Sequence, residues 1–479
     1  MPASNTWSYQ SNPNQSYWFY SGIILLSVIL ALYSELYLLA AAPLALYFAI
    51  AVIKDYRILY YAFFAVVPFS IEFFVGSVGT DLPSEPVMLL LTGVAIILFI
   101  TKLKSLDLSY VFHPIGAILF LHIVWILITA IFSQSPVVSF KFFLAKLWYV
   151  IPFFFLSLYL IQGPKMILRI VKILAWFLTA AILVVLIRHA LEGFTFESSN
   201  RVVMPIFRNH VSYSAIIVIV LPFIWALYTT VADQYKKLLI AVLVVFVLGT
   251  YFSYTRAAQL CLFIAVGTYF VIKYRLAKLA IISSVLAGIV LVGYLMNDNK
   301  FMDYAPDFEK TIVHTDFDNL LEATYKMEDI STMERVYRWV AGTQMVQERP
   351  IIGFGPGSFY NHYKNYTIRA FETYVSYNPE KSGIHCYYFM TLVEQGIIGL
   401  IIFLAFCFAI ILYGERYYHE MKDKVNANLI MAATVSTVII CAMILINDLI
   451  EIDKVGPFFF LNAAIILKLG TKPSIPSES

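Results

Sequence analysis

Residues 382–400 read SGIHCYYFMTLVEQGIIGL. From Tyr388 the chain stays apolar to about residue 412, long enough for a bilayer core, which takes about 20 helical residues. His385 stands at the threshold of that run, and Glu394, Gly396 and Gly399 lie inside it. Ionisable groups at or within a membrane are costly and default to a functional reading. The stretch therefore predicts a membrane entry with chemistry kept at its mouth.

The same apolar pattern extends over most of the chain. Of 479 residues, 61% are hydrophobic and 13% charged, with a mean hydropathy of +0.79. A soluble domain carries about 25% charged residues. Fourteen runs read as spans, at 18–33, 36–53, 58–75, 86–101, 114–133, 138–161, 166–187, 211–231, 238–253, 256–272, 279–296, 388–412, 427–446 and 455–469. The expected fold is an all-α polytopic membrane protein of about 12–14 transmembrane helices with one large extracytoplasmic loop.

Orientation follows from the Lys/Arg bias of short loops. Alternate loops carry Lys54 and Arg57; Lys102 and Lys104; Lys165, Arg169 and Lys172; Lys236 and Lys237; Lys273, Arg275 and Lys278; Arg416, Lys422 and Lys424; and then Lys468 and Lys472. That is 17 of the 33 basic residues, while the opposite short loops, at 34–36, 76–86 and 133–136, hold none. Both termini are thus expected in the cytoplasm. The layout predicted is a cytoplasmic tail 1–17, transmembrane helices 1–11 over 18–296, an outer loop 297–387, helices 12–14 over 388–469, and a cytoplasmic tail 470–479. Residues 1–16 lack the basic region of a cleavable signal peptide. The spacing of the four cysteines suggests neither a zinc site nor a disulfide framework. The net charge of +3 gives no sign of nucleic acid.

On the outer face the basic residues are exceptions. RVVMPIFRNHVSYS holds Arg201, Arg208 and His210; TYFSYTRAAQL places Arg256 in a tight turn; His385 closes the long loop. Each arginine could instead snorkel to headgroups, and each histidine could cap its helix. Lys146 lies deep enough in the sixth span to be an anion contact. In the loop, residues 331–348 predict an amphipathic helix. Ser331 and Glu334 fit a capping box, Arg335 and Arg338 share a face, and Pro350 ends the helix. GFGPGSF (353–359) lacks the Gly-Lys-Ser/Thr of a phosphate loop and is expected to be a tight turn docking on the bilayer. Asp316 and Asp318 form an Asp-x-Asp pair, but a hard cation wants more oxygen ligands, so they read as solvated acids and no metal is expected. Tyr387 and Tyr388 are expected in an interfacial aromatic belt.

Arginine offers a permanently charged fork suited to phosphate, and histidine takes a proton near neutral pH. Together they suit a membrane-held pyrophosphate leaving group and an acceptor hydroxyl that must lose a proton.

An arginine before NHVSYS, the SYTR turn, RVYRW…ERPIIGFGPGSF in a large loop, and HCYYFMTLVEQGIIGL resemble the O-antigen ligase and O-antigen polymerase superfamily over about residues 200–412. The resemblance implies a GT-C-like glycosyltransferase of the bacterial inner membrane with a periplasmic active site. Its donor would be an undecaprenyl-pyrophosphate-linked glycan, its acceptor the lipid A-core or another glycan, and it would need no cofactor. It implies that Arg208 and Arg256 contact the pyrophosphate and that His385 is the general base. Arg335, Arg338, Lys146, Arg201 and His210 remain possible contacts. Ligase, polymerase and protein O-oligosaccharyltransferase activities all stay open, and a lipid-linked glycan transporter is the reading from another class. The family's ligases have twelve spans against the fourteen counted here.

Overall fold

The computed structural model describes residues 42–75, 78–103, 107–304, 330–369, 372, 376–378 and 382–471, with residues 22, 25–27 and 29. The chain divides into two compact units, 1–62 and 63–479. The first holds α1, Ala42–Lys54, and the opening residues of α2, Arg57–Val66, which continues into the second unit. The run predicted at 18–33 lies almost wholly outside the described residues, and that at 36–53 is described only from residue 42, within α1.

The second unit is a helical membrane bundle. Among the described residues ten helices are long and apolar enough to cross a membrane. They are α3 (Ser84–Lys102), α4 (Pro114–Ile131), α5 (Pro136–Leu160, with a π turn at Ile151–Leu156), α6 (Pro164–Leu191), α7 (His210–Tyr228), α8 (Asp233–Tyr251), α9 (Arg256–Lys273), α10 (Ala277–Met296), α12 (Tyr387–Glu420) and α13 (Lys424–Met443). The loop helix α11 (Ile330–Glu348) precedes α12, and the shorter apolar α14 (Gly456–Gly470) ends the bundle. The ten spanning helices and α14 each overlap a run read as a span, and α11 overlaps the amphipathic helix expected at 331–348.

Local chemistry sets the helix starts. Prolines occupy the first turn of α4, α5, α6 and α14, where the missing N–H costs nothing. Asn209 caps α7 by accepting from Ser212 N at 2.8 Å, and Asp423 caps α13 by accepting from Asn426 N at 2.9 Å. Helices α7, α13 and α14 form the centre and are buried along most of their length. Most of α8 and α10 instead presents apolar side chains outward, including Ile240, Val244, Leu286 and Ile289.

Helix ends are tied together at two faces of the bundle. At the basic face, His113 Nε2 meets Tyr417 Oη at 2.8 Å, Ala277 N donates to Glu415 Oε2 at 3.0 Å, and His419 Nε2 bonds Ile272 O at 2.9 Å. At the other, the loop face, Tyr387 N donates to Ile444 O at 2.9 Å and Thr255 Oγ1 to His210 O at 3.2 Å.

The span expected at 58–75 is shorter than its hydropathy suggests. The helix ends by Phe69, and Ile71–Val75 pairs antiparallel with Val78–Leu82 as a hairpin, with Glu72 opposite Asp81. The aromatic and β-branched IEFFV suits a strand as well as a membrane helix, and hydropathy cannot separate the two.

Candidate functional site

The stretch 382–400 shows its construction at the loop face. His385 lies just before α12 with φ 56°, a left-handed conformation uncommon for a residue with a Cβ. Three bonds hold that backbone. Arg338 Nη1 donates to Gly383 O at 3.1 Å, Trp339 Nε1 to Ile384 O at 3.0 Å, and His385 N to Asp448 Oδ2 at 3.0 Å. A Cβ on Gly383 would collide with the Asp448 carboxylate, so only glycine lets the loop approach it. Arg338 is 3% exposed and lies 3.7 Å from Glu334.

Burial pushes the His385 imidazole down to about 3, and the charges of Arg338 and Arg335 add to the effect. The ring is therefore neutral at pH 7. Among the described residues its nitrogens bond to no protein group. Burial pushes the Asp448 carboxyl up to about 6, against the bond from His385 N; Glu451 raises it further and Arg338 opposes.

Asp448 begins a linker, Asp448–Lys454, that joins both halves of this face. Glu451 Oε1 meets Lys146 Nζ at 2.5 Å, and Lys146 also donates to Tyr387 Oη at 3.1 Å. Lys146 is 1% exposed and thus already paired with a carboxylate. Further along, Ser84 Oγ donates to Asp453 Oδ2 at 2.6 Å and Lys454 Nζ to Ser70 O at 2.8 Å. Lys454 Nζ stands 5.5 Å from the centre of the Phe207 ring, beside Arg208.

Arg208, exposed, is bonded through Nη2 to Glu72 Oε1 of the hairpin at 2.5 Å. His210 opens α7, with Nδ1 3.2 Å from Ser199 Oγ and its backbone N donating to Asn200 Oδ1 at 3.1 Å. Arg256 is the first residue of α9, directly after Thr255, whose hydroxyl donates to His210 O. Arg208, His210 and Arg256 thus cluster at the joined starts of α7 and α9. Arg201 points elsewhere, exposed and ion-paired with Glu192. Arg335 and Arg338 sit on α11 facing the His385 loop.

Several expectations change. GFGPGSF docks inside the protein, against a break in α12. Gly355 N donates to Glu394 O at 2.8 Å, and the Glu394 carboxylate accepts from Gly357 N at 2.7 Å and Phe359 N at 3.0 Å. Gly396, at φ 70°, marks the break, and a Cβ there would strike Ile351 O. Glu394 and Gly396 therefore receive the loop turn, a role that the sequence left underived. Tyr387 is buried and Tyr388 donates to Cys441 O at 3.0 Å, so both face protein rather than a headgroup belt. Ser331 lies inside α11, not at its cap. Asp316 and Asp318 lie outside the described residues. Sequence reading missed Glu72, Asp448, Glu451 and Asp453, because each acts through a partner distant in the chain. A cavity of about 550 Å³ lined by Phe99, Tyr110, Phe155, Tyr159, Gln162 and Lys468 touches none of these residues and is not this site.

Residues 239–404 match the family model described as O-antigen ligase. The match spans Arg256, Arg335, Arg338, His385, Glu394 and Gly396. No curated protein matches the chain. With ten helices long and apolar enough to cross a membrane among the described residues, the chain is a multi-pass membrane protein, and over residues 239–404, which hold the loop helix and the histidine-bearing loop, it is similar to the O-antigen ligase family.

Proposed function

We propose that the protein transfers a glycan from undecaprenyl pyrophosphate to an acceptor hydroxyl at the periplasmic face of a bacterial inner membrane, the acceptor being the lipid A-core oligosaccharide. The observation that carries this reading is the placement of His385 at the mouth of α12, its backbone held in a left-handed turn by Asp448 and Arg338 and its ring nitrogens bonded to no protein group among the described residues. A general base must be unprotonated and held in place.

In the proposed reaction His385 removes the proton from the acceptor hydroxyl as its oxygen attacks the anomeric carbon. The bond from that carbon to the pyrophosphate oxygen breaks, and its electron pair leaves with undecaprenyl pyrophosphate. Attack opposite the leaving group inverts the anomeric centre. Arg208 and Arg256 meet the charge that grows on the leaving oxygen, a role for which fixed guanidinium donors suit without a metal.

The test is transfer by the full-length protein in detergent, given lipid-linked donor and core acceptor. His385→Ala and Arg256→Ala should abolish transfer at normal expression, and unimpaired transfer by both defeats the proposal. Long chains built on lipid-linked repeats, with none reaching the core, would reassign the acceptor to that of a polymerase.

A further inference from the structure

The hairpin Ile71–Leu82 places a carboxylate on Arg208, which the proposed function assigns to the donor pyrophosphate. Glu72 Oε1 lies 2.5 Å from Arg208 Nη2. A carboxylate and a phosphate compete for the same planar fork of guanidinium donors. We propose that Glu72 occupies the anion position of Arg208 in the resting protein, and that the pyrophosphate of the lipid-linked donor displaces it by lifting the hairpin. This inference rests on the donor-site reading above.

The hairpin is anchored at its root, and beyond it Thr80 Oγ1 donates to Glu85 Oε2 of α3 at 2.7 Å and Glu72 bonds Arg208. Ser70 Oγ lies 2.6 Å from Ser84 Oγ, Ser84 Oγ donates to Asp453 Oδ2, and Lys454 Nζ bonds Ser70 O; all four residues are buried. Beyond that root are two five-residue strands whose Phe73 and Phe74 are exposed. An isolated two-stranded hairpin is marginal in stability.

Charge also favours release. The residue directly opposite Glu72 is Asp81, and like charges so placed destabilise a strand pair. Burial raises Asp81 to about 7; Asp453 raises it further, Lys454 opposes, and Glu85 and Glu72 add to it. Carboxyl groups thus crowd Glu72 from the partner strand, from α3 and from the linker, and Arg208 is the cation bonded to it. An incoming pyrophosphate takes that cation away, and the repulsion left behind pushes the hairpin off. The same linker that anchors the hairpin root through Asp453 and Lys454 holds His385 through Asp448, so the strap moves while the base stays fixed.

The experiment measures undecaprenyl pyrophosphate binding to the full-length protein in nanodiscs. Removing a competing exposed ion pair should tighten binding of this probe by Glu72→Gln about two- to fivefold. Arg208→Ala should weaken it, and the double variant should match Arg208→Ala, because Glu72 acts only through that arginine. Steady-state transfer should show a lower KM for the donor in Glu72→Gln at unchanged kcat, a split that a merely structural role would not produce. Weaker or unchanged binding by Glu72→Gln, with Arg208→Ala impaired, overturns the strap and leaves the donor site standing. Unchanged binding by Arg208→Ala overturns both.

Discussion

The two halves of the loop face are held in opposite ways. Around His385 the backbone and its neighbours are held by several buried bonds. The loop backbone is bonded by Arg338, Trp339 and Asp448, Lys146 is closed onto Glu451, and the 353–359 turn is locked on Glu394. Around Arg208 the contacts are exposed, and one ion pair to a short hairpin holds the guanidinium. A base that must meet a hydroxyl in one geometry gains from rigidity. A site that admits a bulky lipid-linked anion gains from a contact that lets go. Substitutions in the first half should therefore cost catalysis or stability heavily, and those at the Glu72–Arg208 contact should act on donor binding.

The sharpest way to break this contrast is His385→Ala. General-base removal costs about 100-fold or more in rate, and the loss should appear in kcat rather than in donor binding. An initial-rate assay with saturating donor checks it. A variant that keeps kcat and loses donor affinity would place His385 in the binding half.

Next in size is Gly396→Ala. The new Cβ would occupy the position of Ile351 O, and the residue keeps a left-handed φ. Unfolding in detergent should reveal a loss of about 2 kcal/mol or more. Limited proteolysis should cut the 349–359 segment faster. The same substitution at Gly267, where a Cβ meets nothing within 4 Å, should be tolerated and serves as the control.

These two residues also show what was legible in the sequence. Helix positions, the loop helix and His385 could be read because each is a property of one segment: an apolar run, an amphipathic period, a charge at an interface. The charge alternation placed His385, Arg208 and Arg256 on one face. The function of Glu394 and Gly396 could not be read, since it depends on a turn some 40 residues upstream packing into a helix break. The Lys146–Glu451 pair is 305 residues apart in the chain. IEFFV reads as a span because hydropathy registers composition, whereas the hairpin depends on Val78–Leu82 offering an antiparallel partner.

A smaller effect, with a defined sign in pH, comes from Asp448 and His385. His385 is depressed to about 3, so the unfolded chain binds the extra proton between that pH and about 6.5. Its contribution to stability is intact above pH 6.5 and is lost as pH falls through that window. Asp448 is raised to about 6, so its contribution has the opposite sign: present below about 3.8 and lost as pH rises through 6. At pH 7 the buried carboxylate is a net cost. Asp448→Asn keeps an acceptor for His385 N and removes that charge. Its Tm at pH 7 should match or exceed the parent, while transfer falls about tenfold as a charge-assisted bond becomes a neutral one. A lower Tm at pH 7 with transfer intact would mean that Asp448 braces the fold rather than the base.

The smallest effect belongs to Arg201, and it tests the division from the permissive side. Arg201 lies seven residues before Arg208 and is likewise exposed and ion-paired, here with Glu192. By sequence the two arginines look equivalent. They differ in surroundings. Arg208 adjoins the capped start of α7 and the hairpin, whereas Arg201 sits on the short helix Ser199–Val203, which is tied by Arg188 to the end of α6. An exposed pair of that kind contributes about 1 kcal/mol or less. Arg201→Ala should leave stability within that margin and both KM and kcat within about twofold, at the same pH and salt at which Arg208→Ala raises the donor KM. If the two variants lose donor affinity equally, the anion site extends along the whole 199–210 segment, and the Glu72–Arg208 contact loses its special place.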